Sequence, residues 1–244
     1  MKKKIIKNYY QILEFLHRIK TYLEKKYGYH SLERILKKNY KKGALFNFIQ
    51  VGANDGVSFD FLYDFLVNRN SYGLVIEPIK SYFEQLKYNY KDFPNIQPLQ
   101  LALHPTEKKI SIYRVDDAQL HKYPEWVKGI ASFDKQHLLK FNITENNIIT
   151  EIVDADNFNN IIEKEIPFNI QDIDYIQVDT EGFDYEVINM IDFGIVKPKI
   201  IKYESVNLSA DKQVKLEKLF KTMGYYLFKE DSDTIAINRK EIKL

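Results

Sequence analysis

The feature that most constrains this chain is an alternation of period. Short apolar runs at 46–51, 72–76 and 96–103 are separated by stretches, 59–67 and 79–90, in which apolar residues recur at helical spacing. Repeated strand–helix–strand steps close as right-handed crossovers, so they imply a parallel sheet with helices on its faces. The pattern loosens between Pro105 and Asp154, where strands at 109–115 and 148–153 flank an irregular stretch holding the single tryptophan, Trp126. An excursion of this kind can shape a pocket. Order returns with helix 156–165, strand 173–178, helix 185–190, strand 199–203 and helix 210–223, which Gly224 stops. Residues 225–228 and 234–238 then read as a hairpin around Glu230-Asp231-Ser232-Asp233. Five parallel strands closed by this hairpin give a mostly parallel seven-stranded α/β sheet with one antiparallel strand.

Length permits one α/β domain with an appendage, because a single core stops growing near about 250 to 300 residues. The appendage is basic: residues 1–42 carry thirteen Lys or Arg against three Glu, while the whole chain of 244 residues has a net charge of only +2. Ile12, Leu13, Leu16, Ile19, Tyr22 and Leu23, then Leu32, Ile35 and Leu36 after Gly28, mark two helices packed onto the α/β domain. The expected division is therefore a basic helical extension at 1–43, able to carry homo-oligomer contacts, and the α/β domain at 44–244. No stretch approaches the about 18 consecutive apolar residues of a membrane span. Gln11, Glu14, His17 and Arg18 interrupt the one candidate for an export signal, so the expected location is cytoplasmic. With no cysteine, any metal must be held by oxygen or imidazole.

In doubly wound sheets ligands sit beyond the carboxyl ends of the strands, where the strand order reverses. The first strand is followed by Gly52-Ala53-Asn54-Asp55-Gly56, small residues that let backbone approach a ligand and offer amides to it. The turn has Asp55 and no lysine, and it is neither GxGxxG nor a P-loop, so it suits a cationic group better than a pyrophosphate. Glu77 stands after the second strand, where a carboxylate accepts hydrogen bonds from ribose hydroxyls. Pro78 behind it, and Ala102 at the end of the third strand, are expected along the same ligand. Asp179 follows the fourth strand and Glu204 the fifth. Two carboxylates in one cleft can be a base with its orienting partner, ligands for an oxygen-coordinated divalent ion, or helix caps. His104, His121 and His137 are further candidates for a base or ligand.

Together these stretches, above all 173–186, resemble the FkbM family of methyltransferases. The family's signature, Ile-Asp-x-x-Lys-Ile-Asp-Val-Glu-Gly-x-Glu, recurs here with Gln177, Thr180 and Asp184 as substitutions, and the resemblance spans residues 45–238. It implies a class I methyltransferase, Rossmann-like fold and S-adenosylmethionine as methyl donor. It also implies that Gly52, Asn54 and Gly56 contact the donor, Glu77 its ribose, and Asp179 with Glu181 form the active-site floor. Ser132, in Ile130-Ala131-Ser132-Phe133, is similar to a family segment near the donor, and Asp156 matches a position the family writes Leu-Asp.

The acceptor implied is a hydroxyl of a sugar, nucleotide-activated or part of a surface-polysaccharide precursor in a bacterium; nucleic acid is not required. Asp179 and Glu204, with Glu181, are the expected catalytic carboxylates. The first two either hold a divalent cation (Mg, Mn or Fe) or act without metal, one of them as base. Two other classes stand beside this reading: a nicotinamide oxidoreductase using Glu77 on its ribose, and a methyltransferase-fold binding protein without activity.

Overall fold

The computed structural model describes residues 31–59 and 61–244. The first helix expected in the basic extension, the one carrying Ile12 to Leu23, lies outside the described residues. In chain order the elements are α1 (Leu32–Asn39), β1 (Leu45–Val51), α2 (Leu62–Leu66), β2 (Asn70–Ile76), α3 (Lys80–Tyr90), β3 (Ile96–Leu99), β4 (Ala102–Leu103), β5 (Lys109–Val115) and α4 (Lys135–Lys140). They continue with β6 (Ile148–Asp156), α5 (Phe158–Glu165), β7 (Tyr175–Val178), α6 (Asp184–Met190), β8 (Ile200–Glu204), α7 (Ala210–Thr222), β9 (Tyr226–Glu230) and β10 (Asp233–Ile237).

Seven strands form the main sheet in the order β3-β2-β1-β7-β8-β10-β9. Five run parallel, and β10 is antiparallel to both β8 and β9. This is the class I methyltransferase fold. The chain builds outward from β1 through β2 to β3, then jumps to β7 on the other side of β1. The order therefore reverses between β1 and β7, which is where a doubly wound sheet opens a crevice.

Both faces of the sheet are covered, which is why its central strands read as nearly unbroken apolar runs. On one face Ile49, Val51, Ile176, Val178 and Ile201 pack with Phe158 and Ile161 of α5, Val187 and Ile188 of α6, and Leu216 and Phe220 of α7. On the other, Phe46, Phe48, Val75, Tyr175 and Ile235 meet Leu62 and Phe65 of α2, Phe83 and Leu86 of α3, and Leu32, Ile35 and Leu36 of α1. At the foot of the sheet Asp174 ties three elements together. Its carboxylate accepts from Tyr40 Oη (3.0 Å) and Asn47 N (2.9 Å) and pairs with Lys199 Nζ at 2.7 Å.

Three departures from the sequence reading have local causes. The run 96–103 is two strands, because Pro98 sits on the edge strand, where it has no donor to contribute, and pairing with β2 ends at Leu99. Ala102 and Leu103 then join β6 in a separate sheet ordered β4-β6-β5, which carries the excursion. The helix expected from Asp156 begins at Phe158 instead. Asp156 closes β6 and pairs with Lys108 at 2.6 Å, and Asn157 caps the helix by accepting from Asn159 N. The helix expected over 59–67 is only α2, since Phe59 has a φ of +73°. No helix among the described residues is long and apolar enough to cross a membrane.

Candidate active site

Strand register brings the functional residues into rows. Val51 pairs with Ile76 and with Val178, so Gly52, Glu77 and Asp179 stand one step past the ends of β1, β2 and β7. Glu204 ends β8 and pairs with Asp233 of β10. One residue pair lower on the same face lie Gln50, Gln177 and Lys202 on adjacent strands. All of these side chains, and Gly52, line one cavity of about 440 Å³ over the switch point, a size suited to a cofactor-sized ligand.

At the end of the cavity over β1 and β2, Gly52 is required by close approach. A Cβ there would lie 1.7 Å from the Asp179 carbonyl oxygen, and its φ is +76°. Gly52 N and Ala53 N both donate to Ile76 O at 3.0 Å, which clamps the turn onto β2. Glu77 is 4% exposed; its Oε2 accepts from Asn54 N at 2.9 Å and its Oε1 from Ile79 N at 2.8 Å. Burial pushes this carboxyl up to about 7 despite both amides. Each oxygen keeps a second lone pair for a ligand hydroxyl. Beside Glu77, the buried Ile79, Tyr82, Ala102 and Ile112 form an apolar wall, with Pro78, Leu101 and Leu103 in the same lining.

The structure brings Gly52, Ala53, Asn54, Glu77, Pro78, Ala102 and Ser132 to the cavity, but not Asp55 or Gly56. The Asp55 carboxylate turns back on its own loop and accepts from Val57 N, Ser58 N and Ser58 Oγ. Gly56 faces α3, where a Cβ would meet Leu86 and Tyr90 at 2.6 Å. Its freedom serves packing, not ligand contact.

At the far end, carboxylate oxygens of Asp179, Glu181 and Glu204 lie within 4.8 Å of one another. The three expected carboxylates thus stand together, and Glu181 joins the two expected as ligands for a cation. Glu181 has a φ of +50°, an uncommon backbone state for a side-chain-bearing residue. Three contacts hold it there: Ser132 Oγ donates to its carbonyl at 2.9 Å, Asn207 Nδ2 donates to its Oε2 at 3.2 Å, and His137 Nε2 lies 2.9 Å from the same Oε2. Asn207 also donates to Glu204 Oε2 at 2.8 Å, bridging the two acids. Fully buried Asp184 fastens the two strand ends: one oxygen accepts from Thr180 Oγ1 (3.0 Å) and the other from Glu204 N (3.1 Å). Burial, then the charges of Glu181 and Glu204, raise Asp179 well above the usual carboxylate range. Burial raises Glu181 and Glu204 too, and Glu204 is raised further by Glu181. His137 is pushed down by burial, so it is neutral at pH 7.

Of the three candidate histidines, only His137 reaches the trio. His104 Nδ1 accepts from Glu107 N at 2.9 Å in a turn, with its ring stacked on Phe183, and His121 is exposed on the short helix Asp117–Lys122. Sequence reasoning missed Lys202, whose Nζ pairs with Asp233 Oδ2 at 3.0 Å inside the cavity, and the brackets Asn207 and Asp184. The available signal was period: Lys202 and Glu204 share a face of β8, so a strand that delivers one to the cavity delivers both.

Among curated protein sequences none matches the chain. Solved structures similar to it include the methyltransferase FkbM of Methylobacillus flagellatus KT (14% identity, 79% of this chain and 43% of that one, TM-score 0.48). Others are the precorrin-6y C5,15-methyltransferase of Geobacter metallireducens GS-15 (11%, 84% and 86%, TM-score 0.41) and TrmK of M. capricolum in complex with S-adenosyl-homocysteine (12%, 85% and 66%, TM-score 0.37). The family profile described as methyltransferase FkbM domain matches residues 50–230, well over half the chain and a span that contains the carboxylate trio. The chain belongs to the FkbM methyltransferase family.

Proposed function

We propose that this chain transfers a methyl group from S-adenosylmethionine to a hydroxyl of a sugar, in a nucleotide-activated or polysaccharide-precursor acceptor. The observation that carries the reading is the convergence of Asp179, Glu181 and Glu204 at the end of a cavity whose other end holds Glu77 and an apolar wall. The donor fits these residues. Glu77 retains acceptor capacity for two ribose hydroxyls, Ile79, Tyr82, Ala102 and Ile112 offer a slot for a flat base, and the carboxylates favour a cationic sulfonium and amino group.

When bound, the donor supplies an electrophilic methyl carbon whose bond to sulfur breaks as the acceptor oxygen attacks, the bonding pair returning to sulfur. The protein's part is alignment and proton removal. Holding oxygen, carbon and sulfur in line is worth about 7 kcal/mol or more. A sugar hydroxyl needs its proton taken, and Asp179 or Glu204 receives it on a carboxylate oxygen. Burial raises the basicity of both, as a general base near neutral pH requires. Asn207 and Asp184 fix the two acceptors relative to each other.

An all-oxygen set of three carboxylates also fits a hard divalent cation such as Mg or Mn, which would relieve their mutual repulsion and acidify a bound hydroxyl. Asp179, Glu181 and Glu204 would hold it. Incubating the protein with labelled donor and a panel of sugars and nucleotide sugars, with and without chelator, tests acceptor class and metal need together. An O-methylated sugar supports the reading; methyl found only on nitrogen or carbon acceptors overturns it. The nicotinamide alternative predicts NAD binding and no S-adenosylhomocysteine binding, and family membership speaks against it.

A further inference from the structure

Two large aromatic side chains line the cavity and yet stay in water: Phe59 is 53% exposed and Trp126 44%. Neither belongs to a hydrophobic core cluster of the described residues. Trp126 is nonetheless held in place. Its ring stands edge-on to Phe141 at 5.4 Å, Phe141 stands edge-on to His137 at 5.1 Å, and His137 Nε2 is 2.9 Å from Glu181. The short helix Glu125–Gly129 that bears it is pinned over the glycine turn by Asn54 Nδ2, which donates to Lys128 O at 3.1 Å. Phe59, from the loop after that turn, occupies left-handed backbone space that a bulky residue rarely adopts.

A run of contacts therefore joins an exposed indole at the cavity to the carboxylate trio. The electrostatics of the lining are one-sided. Glu77, Asp179, Glu181, Glu204 and Asp233 face it, and Lys202, the one Lys or Arg among the described lining residues, bridges to Asp233. An acceptor ring with its own carboxylate would be desolvated among like charges.

We infer that Trp126 and Phe59 form the acceptor subsite, a stacking face for an uncharged pyranose ring. The ring's C–H groups lie on the negative aromatic face while one hydroxyl reaches Asp179 and Glu204. Phosphates of an activated sugar remain outside the cavity. The inference rests on the sugar O-methylation reading and adds to it which side chains choose the acceptor, and its charge.

Because the chain has a single tryptophan, indole emission reports this subsite directly. The full chain, saturated with S-adenosylhomocysteine, is titrated with neutral methyl pyranosides and with the matched pair UDP-glucose and UDP-glucuronate; methyl transfer to the same compounds is measured in parallel. A neutral pyranose is expected to change the emission saturably and to accept methyl, and the uronate to do neither. Trp126→Ala is expected to raise the acceptor KM by about tenfold or more, with Trp126→Phe restoring most of it. Affinity for S-adenosylhomocysteine is expected to stay within about twofold in both variants. The subsite is overturned, with sugar methylation intact, if the uronate is preferred, if the acceptor KM is unmoved, or if Trp126→Ala weakens S-adenosylhomocysteine as much as sugar. If no sugar hydroxyl accepts methyl and emission answers to S-adenosylhomocysteine alone, the underlying reading fails and takes the inference with it.

Discussion

Gly52 and Asp179 meet backbone to backbone: a Cβ on residue 52 would lie 1.7 Å from the Asp179 carbonyl oxygen. The contact sits where the strand order reverses, with Asp179 N donating to Val51 O at 3.0 Å. The glycine that shapes the turn after β1 thus also sets the position of the Asp179 carboxylate.

Replacing it should damage both ends at once. Gly52→Ala must part β1 from β7 and strain a φ of +76°, so a stability loss of about 2–4 kcal/mol is expected in urea titration. Affinity for S-adenosylhomocysteine should fall by about tenfold or more, because the turn and Glu77 are hydrogen-bonded together. Gly43→Ala separates the two effects, since a Cβ at Gly43 would have nothing within 4 Å although its φ is also +76°. It should show backbone strain without loss of the ligand.

Glu77 gives a second prediction. Its two oxygens each accept from a backbone amide, so Glu77→Gln sets a side-chain NH2 against one of those N–H groups and should cost about 1–3 kcal/mol of stability while weakening S-adenosylhomocysteine by about ten- to a hundredfold, as measured by calorimetry. The turnover number at saturating donor should change little, since Glu77 stands at the end of the cavity away from the trio.

The buried acids make stability depend on pH with a definite sign. Glu77 titrates at about 7 when folded, above the ordinary 4.5, and Asp179, Glu181 and Glu204 shift in the same direction. The folded protein therefore binds more protons than the unfolded chain between those values, and stability falls as pH rises through that window. Below about 6.5, neutral His137 acts in the opposite sense. Thermal melts between about pH 6.5 and 8 should thus show a falling Tm, with Glu77 alone contributing about 1 kcal/mol over that span and about 3 kcal/mol from below pH 4.5 to well above 7. Asp179→Asn should flatten the curve and raise Tm at the alkaline end while cutting turnover by about 10²–10⁴-fold. A Tm that rises with pH over this range would contradict the burial given to these carboxyl groups.

Asp174 provides the contrasting case of a buried acid remote from chemistry. It joins Tyr40, Asn47 and Lys199 at the opposite end of the sheet. Asp174→Ala should cost about 3 kcal/mol, because it leaves a buried hydroxyl, an amide and a half-buried ammonium without their shared acceptor. Below its melting temperature the variant should keep wild-type kcat and KM.

Much of this was readable in the chain because strand ends are simple. Glu77, Asp179 and Glu204 each follow an apolar run, and a parallel sheet lines such ends up whatever its details. What could not be read is what depends on register or on a turn's direction. Asp55 and Asn54 are adjacent and equally polar, yet Asn54 adopts a φ of +50° toward the cavity while Asp55 folds onto Ser58. Lys202 meets Asp233 only because the terminal hairpin pairs Asp233 with Glu204. His137 and Glu181 are brought together by a second sheet that the run 96–103, taken as one strand, concealed. Local period carries elements; distant pairing carries the partners.

The most direct measurement of the central claim is transfer of labelled methyl from S-adenosylmethionine to sugar hydroxyls by the wild type and by Asp179→Asn, with S-adenosylhomocysteine affinity measured on both. The wild type is expected to yield an O-methyl sugar. In the variant kcat is expected to fall by about 10²–10⁴-fold, with affinity for S-adenosylhomocysteine essentially retained. An Asp179→Asn protein that methylates sugars at the wild-type rate would contradict the role given to this carboxylate.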